Sequence, residues 1–418
     1  MESKFIAVIG LQWGDEGKGK VIDALKEEYE VGIRFQGGAN AGHTVYKENE
    51  KIVLHQIPSA ILSPDKEALI SCGCVLDLSA LDREIEEIRK RNIEIEGRLF
   101  IDERTPLVFD FHKEEDILEE EKKGKNKIGT TGKGIGPAYR DLIARKALKI
   151  GHFKDIDRAY RKFKDLWEFA LEIRGARYGR PLKPCDDLFE KNLELFKKIK
   201  DFLIDGILYL KKKEKEGKRI LFEGAQGAML DILLGTYPYV TSSHTVSGSI
   251  SLSTGIAPWK IKRIIGVSKC YTTRVGEGPF PTEEKSEFGE FLREKGQEFG
   301  ATTGRPRRCG WLDLPLLRYA IRITGATELI ITKLDVLAEL KKIKVCIEYE
   351  IENKKLQFPP PLTDELYKVK PIYREFDGFE SNEKDRNLRN FLDFIEKETY
   401  TKITYISISK GGELKKLP

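Results

Sequence analysis

The start of the chain restricts its fold more than any other stretch. Residues 5–9, Phe-Ile-Ala-Val-Ile, form a continuous apolar run. Residues 10–20 are a glycine-rich loop, and residues 21–29 are amphipathic. An apolar strand, a glycine loop and a helix in that order make a unit in which backbone N–H groups converge on an anion at the helix N-terminus. Further strand-like runs lie at 31–35, 68–71, 99–101, 220–222, 261–267, 329–332, 345–349 and 403–409. Helical patterns alternate with them, one capped by Ser79 with Leu81, Ile85 and Ile88 on its apolar face. The alternation predicts an α/β fold: a large, mostly parallel central β-sheet flanked by helices, with a phosphate-loop-like strand–loop–helix at the N-terminus. No Pro/Gly/Ser-rich linker divides the chain, so residues 1–418 are expected to form a single domain. Residues 157–174 and 188–213 read as long helices and predict a mainly helical insertion near 150–215.

Composition narrows the function. Lys+Arg is 73 against Asp+Glu 68, and the basic residues lie evenly among the acids, which argues against a nucleic-acid binder. No run of 18 apolar residues exists to cross a membrane. The N-terminus lacks a secretory pattern, and the six cysteines are scattered, so a cytoplasmic protein with reduced thiols is expected. Cys72-Gly73-Cys74 lacks the further ligands of a metal site and reads as core. The lysine runs at 122–127 and 211–218 read as solvated helix ends or loops. A charged fraction of 34% with few Met and His resembles the surface of heat-adapted proteins.

Within the first loop, Gly14-x-x-x-x-Gly19-Lys20 fits most of the phosphate-loop pattern. Val21 stands where that pattern has the Ser or Thr that holds Mg²⁺, so another oxygen must do so, and Asp15 is the nearest candidate. The stretch Gln12-Trp13-Gly14-Asp15-Glu16-Gly17-Lys18-Gly19-Lys20 resembles the signature of the adenylosuccinate synthetase family. The resemblance continues through Gly37-Gly38-Ala39-Asn40-Ala41-Gly42-His43-Thr44, through 129–137, Glu223-Gly224-Ala225-Gln226-Gly227, 235–238, 271–281, 301–308 and 332–335. It covers nearly the whole chain, in order.

The resemblance implies GTP-dependent ligation of IMP and L-aspartate to adenylosuccinate through a 6-phosphoryl-IMP intermediate, the first committed step from IMP to AMP. It casts Asp15 as the base at purine N1 and as a Mg²⁺ ligand, with the Gly42 carbonyl as a second ligand. His43 becomes an acid or hydrogen-bond donor at the transferred phosphoryl group or O6, and Lys18 and Gln226 join the catalytic set. For IMP it implies Asp15, Glu16, Gly17, Lys18, Asn40, Ala41, Gly42, His43, Thr131, Gln226, Thr241 and Arg305, with Arg145 reaching the IMP of a neighbouring subunit in a homodimer. For GTP it implies residues 14–20 of the loop (Gly14 to Lys20, with Gly19), Gly42, His43, Thr44, Arg307, Lys333, Leu334, Asp335, Ser409, Lys410 and Gly411. For aspartate it implies Ala301, Thr302, Thr303, Gly304, Arg305 and Arg307.

Several of these roles have a physical basis in the residues themselves. Arg305, Arg307 and Arg308 lie within a four-residue span, and arginine forks suit a dicarboxylate. Thr332-Lys333-Leu334-Asp335 is similar to the Asn-Lys-x-Asp guanine motif; a carboxylate at Asp335 accepts from guanine N1–H and the 2-amino group together, a donor pair adenine lacks. Two stretches depart from the family pattern. Gly411-Gly412 stands where Gly-Pro is common, and His244 replaces an Asn beside Thr241, where it is expected to serve as a substitute hydrogen bonder. A GTP-binding switch would share the phosphate loop and the Thr-Lys-x-Asp segment, but leaves the arginine loop and the Asn40/His43 segment unexplained.

Overall fold

The computed structural model describes residues 4–47, 50–124, 127–300, 304–409 and 414–417. Its centre is a ten-stranded sheet in the order Lys415–Lys416, Ile403–Ile406, Glu328–Thr332, Arg263–Lys269, Phe5–Gly10, Ile220–Gly227, Val31–Arg34, Glu67–Ile70, Leu99–Asp102, Leu203–Ile204. Every pairing is parallel except that of the edge strand Lys415–Lys416. The expected α/β architecture is therefore present. Phe5–Gly10 is buried along its whole length, its two faces packing into separate apolar clusters. Burial of each of its larger side chains, Phe5, Ile6, Val8 and Ile9, contributes roughly 1.5–3 kcal/mol.

The first strand lies between Ile220–Gly227 and Arg263–Lys269; beyond Ile220–Gly227 come Val31–Arg34 and the other early strands, beyond Arg263–Lys269 the late ones, so the chain leaves the first strand toward one side and leaves Ile220–Gly227 toward the other. That is a topological switch point, where the loops leaving the carboxyl ends of neighbouring strands part and form a crevice. Gly10, Arg34, Gln226, Lys269 and Thr332 all stand at or near carboxyl ends of these strands. The motifs scattered along the chain thus meet at one edge of the sheet.

Several elements differ from expectation. The helix Leu78–Arg89 is capped by Asp77, not Ser79: the Asp77 carboxylate accepts from the Ser79 and Ala80 amides at 3.0 and 3.2 Å. The expected helix over 188–213 is broken. Cys185–Ile199 ends, Leu203–Ile204 joins the edge of the central sheet, and Gly206–Lys215 follows, capped by Asp205. Two apolar residues in register with Leu99–Asp102 outweigh a helical periodicity that Phe202 and Leu203 would otherwise continue. The run at 345–349 falls in Lys342–Ile351, which pairs antiparallel with Lys370–Asp377 in a separate small sheet. The amphipathic stretch after the first loop forms a helix, Lys18–Ala24, and then a 3₁₀ turn, Lys26–Glu28.

Candidate functional site

The glycine loop is braced from beneath by Glu16. Its side chain is fully buried: Oε1 accepts from the Gln12 and Gly14 amides at 3.1 and 2.9 Å, and Oε2 accepts from Lys18 Nζ at 2.6 Å. Gly227 must lack a side chain here, since a Cβ would come within 2.3 Å of Glu16 Oε1. Glu16 therefore shapes the loop with its carboxylate and does not itself line the cleft. Lys18 is itself buried against Glu16. Asp15 takes a left-handed backbone conformation (φ 61°), which few non-glycine residues adopt without a local reason.

Above the loop opens a cleft of about 860 Å³. Gly14, Asp15, Gly17, Lys18 and Gly19 form one side, and Asn40, Ala41, Gly42, His43 and Thr44 face them. Gly19 lets the two sides approach closely, as a Cβ would lie 2.6 Å from the Thr44 carbonyl oxygen. Gln226, Thr241, Thr131 and Arg307 complete the lining. Asn40 Nδ2 donates to Thr241 Oγ1 at 3.2 Å, while its buried Oδ1 has no protein partner. Gln226, at φ 57°, has both amide atoms buried and unpartnered. Buried polar atoms almost always have partners, so two unsatisfied amides on one cleft mark a place for a polar ligand.

His43 opens the strand His43–Lys47, and its Nδ1 is hydrogen-bonded to the buried Glu223 carboxylate. Glu223 also accepts from the Ser59 amide and hydroxyl at 2.7 and 2.9 Å, and Arg34 lies 3.7 Å away. Burial lowers the His43 pKa below the ordinary histidine value, against the pull of Glu223. For Glu223, burial raises the pKa, but His43 and Arg34 outweigh it and the carboxyl stays below the usual range. The sequence reading assigned Glu223 no role. Its signal was present, as an acid inside Glu-Gly-Ala-Gln-Gly, but nothing in the sequence pairs it with a histidine 180 residues away.

A second group of charges lies behind Asp15. Arg307 Nε is 2.8 Å from Asp15 Oδ2, and Arg307 Nη1 donates to Glu298 Oε2 at 2.5 Å. Lys269 Nζ reaches the same oxygen at 2.8 Å, and the Tyr271 hydroxyl donates to Glu298 Oε1 at 2.5 Å. Burial opposes the charge on Glu298, but Lys269, Arg307 and Lys333 hold its carboxyl down to about 2. Glu298, Lys269 and Tyr271 were also missed by the sequence reading. Arg308, in contrast, grips Glu283 at 2.7 and 2.6 Å and is a structural clamp.

The segment Thr332-Lys333-Leu334-Asp335 lies beside the loop rather than in the cleft lining. Thr332 Oγ1 donates to the Glu16 carbonyl at 2.8 Å. Lys333 adopts a left-handed conformation and donates to the Gly296 carbonyl at 2.6 Å; the Leu334 side chain is buried, and its amide donates to the Ser407 carbonyl. Lys20 donates to Ser407 Oγ at 2.7 Å and to the Ser409 carbonyl at 3.0 Å. Burial lowers its pKa, partly offset by Asp335. In this arrangement Lys20 turns toward the Asp335 end, not toward the cleft. Arg305 and Arg145 also stand outside the lining, both exposed. His244 faces Asp231 at 3.6 Å and does not line the cleft. Ala301, Thr302, Thr303, Lys410, Gly411 and Gly412 lie outside the described residues; Gly304 is described and exposed. Cys74 is buried as expected and Cys72 half-buried.

The family model for adenylosuccinate synthetase matches residues 7–414. The adenylosuccinate synthetase of Caldanaerobacter subterraneus subsp. tengcongensis is 48% identical over 387 residues, covering 92% of this chain and 90% of the relative. That of Thermodesulfovibrio yellowstonii is 44% identical over 410 residues, 96% of each. The structure of fully ligated adenylosuccinate synthetase from Plasmodium falciparum superposes with a TM-score of 0.92 at 35% identity, covering 98% of both chains. Together with the α/β fold, these matches place the chain among the nucleotide-dependent ligases. The chain belongs to the adenylosuccinate synthetase family, whose members join IMP and L-aspartate at the expense of GTP in purine biosynthesis.

Proposed function

We propose that this chain makes adenylosuccinate, GDP and phosphate from IMP, L-aspartate and GTP in the cleft between the glycine loop and the Asn40–Thr44 wall. The observation that carries the residue assignments is the pair of unpartnered amides, Asn40 Oδ1 and Gln226, facing a cleft that also holds Asp15 and His43. Neutral amides and hydroxyls there suit a purine ring and ribose phosphate. Asp15 takes the N1 proton of IMP. O6 then bonds to the γ-phosphorus as its bond to GDP breaks; the phosphate charge entering the cleft favours the imidazolium, so that His43 keeps its Nδ1–H on Glu223 and donates its Nε2–H at the phosphoryl group. The aspartate amine attacks C6 and phosphate leaves. Glu223 holds His43, Arg305 and Arg307 meet the aspartate carboxylates, and Asp335 reads guanine.

Mg²⁺ suits the donor set. The Asp15 carboxylate and Gly42 carbonyl are hard oxygen donors on one cleft, and among the described residues no three His, Cys, Asp or Glu side chains gather into a closed metal site. Mg²⁺ commonly takes one or two protein oxygens and fills its shell with phosphate oxygens and water. When bound it neutralises phosphate charge.

A homodimer in which Arg145 serves the neighbour's IMP agrees with the exposure of Arg145 away from its own cleft and with Ile143 beside it, 81% exposed. A single domain with a helical insertion and a cytoplasmic location complete the reading; among the described residues no helix is long and apolar enough to cross a membrane. The test is an assay of adenylosuccinate and phosphate with each substrate omitted in turn. Product that requires all three supports the reading. GTP hydrolysis at an undiminished rate without IMP and aspartate overturns it in favour of a switch.

A further inference from the structure

The charges behind Arg307 are more than the fold needs. Glu298 is fully buried and is already neutralised by Lys269, which is equally buried. A second cation on the same oxygen is electrostatically surplus unless another anion balances it, and Asp15 does so. Lys269, Arg307, Glu298 and Asp15 together are neutral. Removing one partner from such a set leaves an uncompensated buried charge, while apolar replacements of the whole often stabilise, so stability alone does not explain its presence.

The geometry also connects separate parts of the site. Glu298 follows the helix Glu287–Gly296, whose last carbonyl accepts from Lys333 of the Thr-Lys-x-Asp segment. The Arg307 amide donates to the Glu298 carbonyl at 2.9 Å, so side chain and backbone of Glu298 both hold Arg307. Gln12 of the glycine loop donates to the Tyr271 carbonyl at 2.9 Å, tying the loop to the residue whose hydroxyl fixes Glu298. Lys269 is anchored in turn by Thr273 at 2.8 Å.

We propose that Glu298 is a positioning residue for the ligation: with Tyr271 and Lys269 fixing its two oxygens, it holds the Arg307 guanidinium against Asp15 at the wall of the cleft. The proposal rests on the reading of Arg307 as a ligand-binding residue. An arginine held by one fixed carboxylate keeps its fork pre-organised for an incoming anion, and loses less freedom when the anion binds.

The test is a double-mutant cycle in the full-length enzyme. Glu298→Gln strips Lys269 of its counter-ion and endangers folding, so Tyr271→Phe, which removes one hydroxyl and keeps the packing, carries the measurement. The expected result is a loss of about tenfold in kcat/KM for aspartate, the scale of a hydrogen bond to a charged group. The KM for IMP stays close to wild type, and the melting temperature falls only by the small amount expected for one buried hydrogen bond. In an Arg307→Ala background the same substitution changes kcat/KM by less than about twofold, because the residue it acts through is gone. Equal losses in both backgrounds overturn the proposal and leave the role of Arg307 standing. Wild-type kinetics for Arg307→Ala alone overturn both. An unchanged kcat/KM for Tyr271→Phe in the wild-type background overturns the proposal as well.

Discussion

Arg307 Nε lies 2.8 Å from Oδ2 of Asp15, although 292 positions of sequence separate the two residues. Asp15 reaches that point from a left-handed backbone conformation in the glycine loop after the first strand, and Arg307 reaches it from the segment leading into the strand Arg308–Gly310. The contact sets the proposed base beside the arginine loop, where the attacking amine is to be received.

Asp15→Asn preserves the shape of the loop and removes both the base and a charged metal ligand. Turnover should fall by at least about 10²-fold, the scale of losing a general base. Steady-state rates at saturating Mg²⁺ measure this, and near-normal turnover rules out the role.

Asp335→Asn should change which nucleotide is used. The carboxylate accepts from the guanine 2-amino group, whereas an amide donates to the 2-oxo group of xanthine. GTP should bind more weakly and xanthosine triphosphate better. A variant that retains the wild-type preference contradicts base reading by Asp335.

Arg305→Leu removes one charge-assisted partner of a carboxylate. The KM for aspartate should rise far more than the KM for GTP. Equal, small changes for every substrate would make this segment structural.

Arg145→Leu and Asp15→Asn should each be nearly inactive alone, yet complement each other when subunits exchange. In a two-fold dimer with shared sites, one site of a mixed dimer collects both lesions and the other collects neither. With half the dimers mixed, activity should return to roughly a quarter of wild type. No recovery, with exchange confirmed by a tag, means that Arg145 serves its own subunit or that both sites must be intact.

Asp313 gives a stability prediction. It caps the helix Leu314–Thr324, and its buried carboxyl accepts from the Leu316 amide at 3.1 Å and the Tyr349 hydroxyl at 2.6 Å. Burial pushes its pKa up to about 7 from 3.8. The folded state therefore holds this proton more tightly than the unfolded state, so the Asp313 contribution to stability is greatest below about pH 4 and is lost as pH rises toward 7. Relative to wild type, Asp313→Asn should gain stability across that window by at most about 4 kcal/mol. Melting temperatures of both proteins from pH 4 to 8 check this; a difference independent of pH contradicts a raised pKa.

Local patterns are what made much of the site legible. The glycine loop, the run from Asn40 to Thr44 and the Thr332–Asp335 segment are contiguous stretches, each set by backbone demands that glycine and small polar residues meet, so they can be found without knowing what faces them. Asp15 and His43 were identifiable for that reason, Gln226 was added by the family resemblance, and the structure brings all three onto one cleft. Local periodicity was a poorer guide where tertiary pairing competed with it. Leu203–Ile204 left a helical pattern to pair with Ile101 and Asp102, and Asp77 displaced Ser79 as a cap because its carboxylate reaches two amides at once.

The sequence by itself determined that strands would alternate with helices around a parallel sheet, since apolar strands and amphipathic helices permit few other packings, and it carried the motifs that place the chain in its family. Only the tertiary structure decided what stands behind the motifs. Glu16 turns inward to brace the loop, Lys20 turns toward Ser407 and Ser409, and Glu223 and Glu298 hold His43 and Arg307. Apart from the half-buried Lys20 these are buried charges, and the partners of His43 and Arg307 come from strands and loops far apart in sequence. A buried charge is tolerable only where the fold supplies its counter-charge in three dimensions, so its role cannot be read from its neighbours along the chain.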